Sequence, residues 1–322
     1  VIDLTTPLGP ITLANPVMPA SGTFSDALGR LVDFDRLGAL VLKTVTPGRR
    51  AGNPLPRVAE LDGGMLNSIG IPSLGIDGFL TETLPHYIGY RSPVVASLSA
   101  DTADAFAEGA RRLTVPGVAA IEANISCPNV EAHGRAFAME AASTAAVVAK
   151  LRRATPLPLW VKLTPNTGDI TAVARAAEAA GADALVVANT ILAMAIDIET
   201  RRPRLGNVMG GLSGPAVKPI MVRLTYQCAR AVAIPVIGCG GIASAADAVE
   251  FLLAGASAVQ VGTASFVRPT ALIDVLDGLT DYCARRGCAR VADLVGAVDD
   301  RIDLPAPAPT PAPTRASDGG AA

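Results

Sequence analysis

The chain has 322 residues, half of them hydrophobic and 17% charged, with a formal net charge of −2. That balance supports a large core and excludes the basic surface that nucleic acid or another polyanionic partner requires. No apolar run reaches the length of a membrane span and the N-terminus lacks a basic-then-apolar signal pattern, so the expected location is the cytoplasm.

Residues 1–13 read as a β-hairpin turning at Pro7-Leu8-Gly9-Pro10. Apolar strand segments then alternate with alanine-rich helical ones. The strands are Val17–Ala20, Ala39–Thr44, Val94–Leu98, Ala119–Asn124, Leu159–Leu163, Ala184–Ala188, Val236–Gly238 and Ala258–Val261. Helical patterns cover 102–113, 140–153, 169–180, 215–232, 244–254 and 270–286. In the third of these, Ile170, Val173, Ala174 and Ala177 recur at helical spacing and Gly181 follows as a C-cap.

Eight strands joined mostly by helices predict an α/β fold, a single (β/α)8 TIM barrel with an N-terminal β-hairpin. A doubly wound open sheet is the alternative. The barrel is preferred because polar residues stand at the carboxyl end of nearly every strand. Two long loops, 45–75 and 189–213, interrupt the alternation, and their apolar residues predict ordered active-site loops. Residues 1–304 are the expected domain. Residues 305–322, a run of Pro and Ala ending in Gly-Gly-Ala-Ala, lack core-forming side chains and form an expected disordered tail.

The stretch richest in chemistry is Ile121 to Asn129. Its apolar start reads as a buried strand, and Pro128, without an N–H, ends it. Asn124, Ser126, Cys127 and Asn129 thus fall at or beyond a strand's carboxyl end. A thiol between two amides suits a polar planar substrate that loses or gains a proton, whereas a structural Cys127 would be a small buried hydrophobe.

After the seventh strand comes Gly238-Cys239-Gly240-Gly241-Ile242, with Ser244 as the N-cap of the next helix. After the eighth comes Gly262-Thr263-Ala264. Glycine N–H groups in those two loops are where such barrels commonly hold a phosphate; tight-turn geometry alone is the structural alternative.

Lys43 and Lys162 end apolar strands. They are either members of structural ion pairs or cations facing a ligand oxygen or the electron-rich end of a flavin. Asn67, Asn124, Asn129 and Asn189 place four amides around one mouth. His133 reads as a surface residue. Cys127, Cys228, Cys239, Cys283 and Cys288 are scattered without a CxxC pair, and His86 and His133 are the only histidines. No metal or iron–sulfur site is therefore expected in this chain.

Taken together these segments resemble the catalytic subunit of dihydroorotate dehydrogenase, class 1, and within it the NAD-linked type 1B. The resemblance covers about residues 1–300. It rests on Asn15-Pro16-Val17 with Ala20-Ser21-Gly22, Lys43-Thr44, Gly52-Asn53-Pro54 with Pro56-Arg57, and Gly63-Gly64-Met65-Leu66-Asn67. It continues through Asn124-Ile125-Ser126-Cys127-Pro128-Asn129, Lys162-Leu163-Thr164-Pro165-Asn166, Asn189-Thr190, Gly211-Leu212-Ser213-Gly214-Pro215 and the two glycine loops. The Gly-Gly-Met-Leu-Asn segment favours type 1B over the fumarate-linked type.

That resemblance implies oxidation of dihydroorotate to orotate, in pyrimidine biosynthesis, on an FMN at the barrel mouth. It assigns the FMN phosphate to Gly240, Gly241, Gly262 and Thr263 with Gly214 nearby, and the ring and ribityl chain to Ser21, Lys43, Thr44, Asn124, Lys162 and Ala188. Ser97 stands where the family's third strand carries an Asn toward the flavin, and Ala100 replaces a Gly. Orotate falls to Lys43, Asn67, Ser68, Ile69, Gly70, Ile71, Asn124, Asn129, Asn189 and Thr190, with Cys127 as the base.

The type 1B pattern also implies a separate electron-transfer subunit carrying FAD and a 2Fe-2S cluster, and a homodimer within a heterotetramer. One competing reading is the dihydropyrimidine dehydrogenase module, acting on uracil and thymine, which carries His where Asn129 stands. A non-catalytic barrel binding a phosphate ligand is the reading from another class.

Overall fold

The computed structural model describes residues 2–126 and 136–301. Cys127, Asn129 and His133 lie outside the described residues, as does the 305–322 segment.

Eight parallel strands form one sheet. In chain order they are Val17–Pro19, Leu40–Val41, Val94–Leu98, Ala120–Asn124, Leu159–Lys162, Ala184–Val187, Val236–Cys239 and Ala258–Val261. Each pairs in parallel with its sequence neighbour from the second to the eighth, and the eighth pairs with the first. The seam between the first two is closed by Gly38, whose N–H donates to Val17 O at 2.8 Å. Any side chain at Gly38 would collide with the Asn15 carbonyl. Asn15 holds that seam too: its amide accepts from Val17 N at 3.0 Å and donates to Arg36 O at 2.8 Å. The result is a (β/α)8 barrel rather than an open doubly wound sheet.

Five long helices return the chain between strands and a sixth follows the last strand, each within three residues of its predicted span: Ala103–Leu113, Ala141–Ala154, Ile170–Ala179, Lys218–Ala231, Ala245–Leu253 and Ala271–Arg286. Their starts follow from short polar side chains that satisfy first-turn N–H groups. Thr102 accepts from Ala105 N, Asp169 from Thr171 N and Ala172 N, and Ser244 forms a capping box with Asp247. Pro215 and Pro219 explain the fourth helix, where 215–217 is a 3-10 turn leading into the α-helix.

Because side chains alternate along a strand, the barrel has two cores. Outward residues such as Val17, Leu40, Ala96, Ile121, Val161 and Leu185 pack on the helices. Inward residues form a separate cluster in which Ala39, Ala120, Ala184 and Ala258 leave room for Trp160. The hairpin, Thr6–Leu8 paired antiparallel with Ile11–Leu13, adds Leu8 and Leu13 to this inner cluster and so plugs the amino end of the barrel.

Trp160 is fully buried, yet its indole N–H has no hydrogen-bond partner among the described residues. Trp160→Ala should cost about 3–5 kcal/mol in a denaturant titration, the usual cost of truncating a fully buried aromatic side chain. Trp160→Phe should cost much less, because it removes a buried donor that is already unpaired.

The two long loops are ordered and meet each other. They build a four-stranded antiparallel sheet from Val58–Leu61, Gly64–Asn67, Gly210–Ser213 and Ile191–Ala193, with Asn67 opposite Gly211 and Met65 opposite Ser213. Glycine is required there: a Cβ on Gly64 would sit 2.6 Å from Ser213 O. Within the second loop, Arg201 and Arg202 fall at an exposed two-stranded turn, Ile196–Asp197 with Arg202–Pro203.

Candidate active site

The inner face of the barrel changes character toward the carboxyl ends of the strands. Above Trp160 stands a buried polar layer that joins five strands and the loop after the first. Glu122 is fully buried and accepts from Gln260 Nε2 at 2.6 Å and from Ser97 Oγ at 3.5 Å. Gln260 Oε1 in turn accepts from Lys162 Nζ at 3.2 Å, and Lys162 also donates to Ser21 Oγ at 3.4 Å. The ammonium lies 3.8 Å from Glu122 Oε1. Ser97 Oγ is 2.9 Å from Thr44 Oγ1, so the layer also reaches the segment that follows the second strand.

A carboxylate and an ammonium buried together offset each other's charge, and the Gln and Ser side chains satisfy the remaining lone pairs. Cys239 belongs to this layer. Burial pushes its thiol up, the Lys162 ammonium pulls it down, and Glu122 adds a further upward push. That places Cys239 as an inward barrel residue beside the network.

Lys43 approaches the same place from just past the second strand. A Cβ built on Gly22 would be 3.5 Å from Lys43 Nζ, so both predicted lysines converge on the Ser21-Gly22 loop. Of the two readings open for Lys162, an ion pair or a cation facing a ligand, the structure provides the first without removing the second. Its Nζ is paired within the barrel, at the end of the fifth strand, on the side where the mouth opens.

The rim is an amide-and-hydroxyl chain. Ser126 Oγ donates to Asn124 Oδ1 at 2.6 Å and accepts from Asn189 Nδ2 at 2.7 Å, while Asn189 Oδ1 accepts from Thr190 N at 2.8 Å. Asn166 extends it, donating to Thr190 O at 3.1 Å and accepting from Leu192 N at 2.9 Å. Ser126 thus ties the fourth-strand exit to the sixth-strand exit, and Cys127 is the next residue in the chain. Ala188 joins the seventh strand through its N–H to Cys239 O at 3.1 Å.

The loop sheet brings the predicted substrate segment to this rim. Asn67 Nδ2 donates to Gly211 O at 3.2 Å, and Gly211 packs on Thr190 so closely that no side chain fits between them. Ser68 Oγ accepts from Asn53 Nδ2 at 2.7 Å and from Asn207 Nδ2 at 3.1 Å, and Ile69 O accepts from Asn53 N at 3.0 Å. Asn53 and Arg57, quoted above for the resemblance, are therefore supports: Arg57 Nε donates to Asn53 O at 2.6 Å. Ile71 holds φ at +48°, a left-handed conformation that costs a β-branched residue energy. Strain of that kind is concentrated where a loop must present its backbone in one way.

The glycine loops meet a third segment. Gly214, Gly240 and Gly241 all have positive φ, at +98°, +117° and +84°. A Cβ on Gly241 would be 2.7 Å from the Lys218 backbone, and one on Gly240 would be 2.8 Å from Met221 Cγ. Thr263 Oγ1 donates to Ser213 Oγ at 2.8 Å, which joins the eighth-strand loop to the end of the loop sheet. Glycine is thus required at Gly240 and Gly241 by positive φ and close packing, and glycine-rich loops of this kind beside a helix start are where a phosphate is commonly held. Lys218 does not supply charge there: its Nζ binds Asp247 at 2.7 Å and Glu250 at 2.6 Å, and those two carboxylates raise its pKa.

Described site residues thus gather at one end of one barrel. Glu122 and Gln260 were not anticipated, although Gln260 is the lone polar residue of an otherwise apolar strand and Glu122 lies among apolar residues two positions before Asn124, and that was the available signal. Among the described residues no group of three side chains could hold a metal, and no helix is long and apolar enough to cross a membrane.

A family model described as dihydroorotate dehydrogenase matches residues 3–282. The catalytic subunit of dihydroorotate dehydrogenase B (NAD(+)) from Trichlorobacter lovleyi is 51% identical over 295 residues, 91% of this chain and 97% of that protein. The subunits of the same name from Pelobacter propionicus and Desulforudis audaxviator are 48% and 50% identical, over 92% and 89% of this chain and 99% and 94% of their own lengths.

Proposed function

The chain belongs to the dihydroorotate dehydrogenase family, and we propose that it is the catalytic chain of an NAD-linked enzyme that oxidises (S)-dihydroorotate to orotate in the cytoplasm. The observation that carries this reading is the convergence at the barrel mouth of two lysines, an amide-and-hydroxyl rim and a glycine cradle.

FMN would have its phosphate at Gly240, Gly241, Gly262 and Thr263, with Gly214; the positive φ of Gly214, Gly240 and Gly241 and the lack of room for a side chain at Gly240 and Gly241 support that reading. Ser21, Lys43, Thr44, Ser97, Asn124, Lys162 and Ala188 would line the ring and ribityl chain. Bound FMN supplies the acceptor for a hydride. Dihydroorotate loses that hydride from carbon 6 and a proton from carbon 5, and the electrons left behind form the C5=C6 double bond of orotate.

Cys127 takes the proton. Lys43 neutralises the substrate carboxylate, and Asn67, Asn124, Asn129, Asn189 and Thr190 match the alternating carbonyl and N–H groups of the ring. Residues 68–71 hold it from the loop-sheet side, in a backbone fixed by Asn53 and Arg57. The Lys162 ammonium favours negative charge at the mouth, an electrostatic contribution that needs no rearrangement because Gln260 and Ser21 already hold it.

Electrons leave the chain through a separate subunit with FAD and a 2Fe-2S cluster, in a heterotetramer built on a homodimer of this chain. With no oxygen present, the isolated FMN-loaded chain should bleach on adding dihydroorotate and stay bleached when NAD is added. NADH should form only once the partner subunit is supplied. Repeated NADH turnover by the chain alone would overturn the division of labour. Bleaching by dihydrouracil but not dihydroorotate would move the reading to the dihydropyrimidine class.

A further inference from the structure

The proposed chemistry uses Lys162, with Gln260 holding its ammonium, but gives no role to Glu122, the carboxylate bonded to Gln260. Both are fully buried, lie on strands four and eight, and are joined by a 2.6 Å hydrogen bond. A carboxylate only accepts, so it fixes the Gln260 amide with Nε2 toward Glu122. The other end of the amide, Oε1, is thereby turned to Lys162 Nζ, where it accepts at 3.2 Å. The same carboxylate stands 3.8 Å from the ammonium, near enough to offset its charge but not in hydrogen-bond contact.

We propose that Glu122, acting through Gln260, is a positioning residue that holds Lys162 at the mouth and sets the reduction potential of the bound flavin. This rests on the reading that FMN lies over Lys162. With Glu122 in place, part of the Lys162 charge is spent inside the barrel. The remainder stabilises the extra negative charge of the reduced flavin. Ser97, bonded to both Glu122 and Thr44, anchors the carboxylate from the opposite side.

The test is the midpoint potential of FMN bound to the full chain, measured for the parent, Glu122→Gln, Lys162→Met and the double variant. Glu122→Gln keeps the shape and removes the offsetting charge. It should shift the flavin equilibrium at least tenfold toward the reduced form, an upward change of about 30 mV for a two-electron couple. Lys162→Met should shift it the other way.

The double variant should match Lys162→Met alone, because Glu122 acts only through the ammonium that Lys162→Met has already removed. A Glu122→Gln shift that persists in full in the Lys162→Met background would show that Glu122 acts independently of Lys162, and the proposal fails. A parental potential in FMN-loaded Lys162→Met would instead remove Lys162 from the flavin and overturn the underlying site reading. A shift in Lys162→Met with none in Glu122→Gln overturns only the present inference.

Gln260→Leu supplies a second route should Glu122→Gln fail to retain FMN. It keeps both charges and removes the bridge, so the ammonium can settle directly on the carboxylate and the potential should fall. An unchanged potential in FMN-loaded Gln260→Leu also sinks the relay.

Discussion

Cys127→Ala, loaded with FMN and mixed anaerobically with dihydroorotate at neutral pH, should be reduced about 10²- to 10⁴-fold more slowly than the parent, the usual contribution of a general base. Cys127 lies outside the described residues, but the chain leading to it is fixed. Asn124 ends the fourth strand, and Ser126, one residue before Cys127, is bonded to both Asn124 and Asn189. A Cys127 base would act as the thiolate, with a reference thiol pKa of about 8.5, so on this reading the parent rate should rise with pH until the thiol is ionised and then level off. Cys127→Ser has a far less acidic group and should recover rate only at high pH. Both variants should keep the parent's oxidised flavin spectrum, which separates loss of the base from loss of the cofactor. A Cys127→Ala protein reduced at near-parental rate would remove Cys127 from this role.

The fold was legible because barrel strands buried on both faces read as short continuous apolar runs, and helices between them as periodic ones. Closure could be argued only indirectly, from polar residues at the strand ends. Asn15 shows the limit: it stood out as part of a family segment, yet its amide works at the strand seam through Val17 and Arg36. The loop sheet was illegible for another reason. Gly64–Asn67 and Gly210–Ser213 are short and glycine-rich, without alternation, and Asn67 meets Gly211 across 144 residues of sequence.

Glu122 and Gln260 fell between two patterns. A polar residue in an apolar strand looks the same whether it points into the barrel or toward a helix, and for Glu122 only the register with Ser97 and Trp160 decides. Lys162 was singled out, but its partner could not be named, because the pair comes from different strands. Cys239 is placed by the same alternation in the inner layer.

Gly241→Asp should give a folded chain that purifies without colour. Two separate effects act at that position. Its φ of +84° and the 2.7 Å approach of a Cβ to the Lys218 backbone strain any side chain placed there, at a cost of order 1–3 kcal/mol. The carboxylate adds like-charge repulsion toward the phosphate. At about 4 Å and an effective dielectric near 20 that is roughly 4 kcal/mol, or a loss of about 10²- to 10³-fold in affinity.

Gly262 separates the two, because its φ is not positive and a Cβ there would lie 3.3 Å from Ala20 Cβ, a close contact with a single methyl group. Gly262→Ala should keep most of its FMN, whereas Gly262→Asp should lose it with little further change in melting temperature. Gly241→Ala, strained but uncharged, should fall between its own parent and Gly241→Asp. FMN content per chain, read from the visible spectrum of the folded protein, decides the matter. Stoichiometric FMN in both aspartate variants would place the phosphate elsewhere in the barrel.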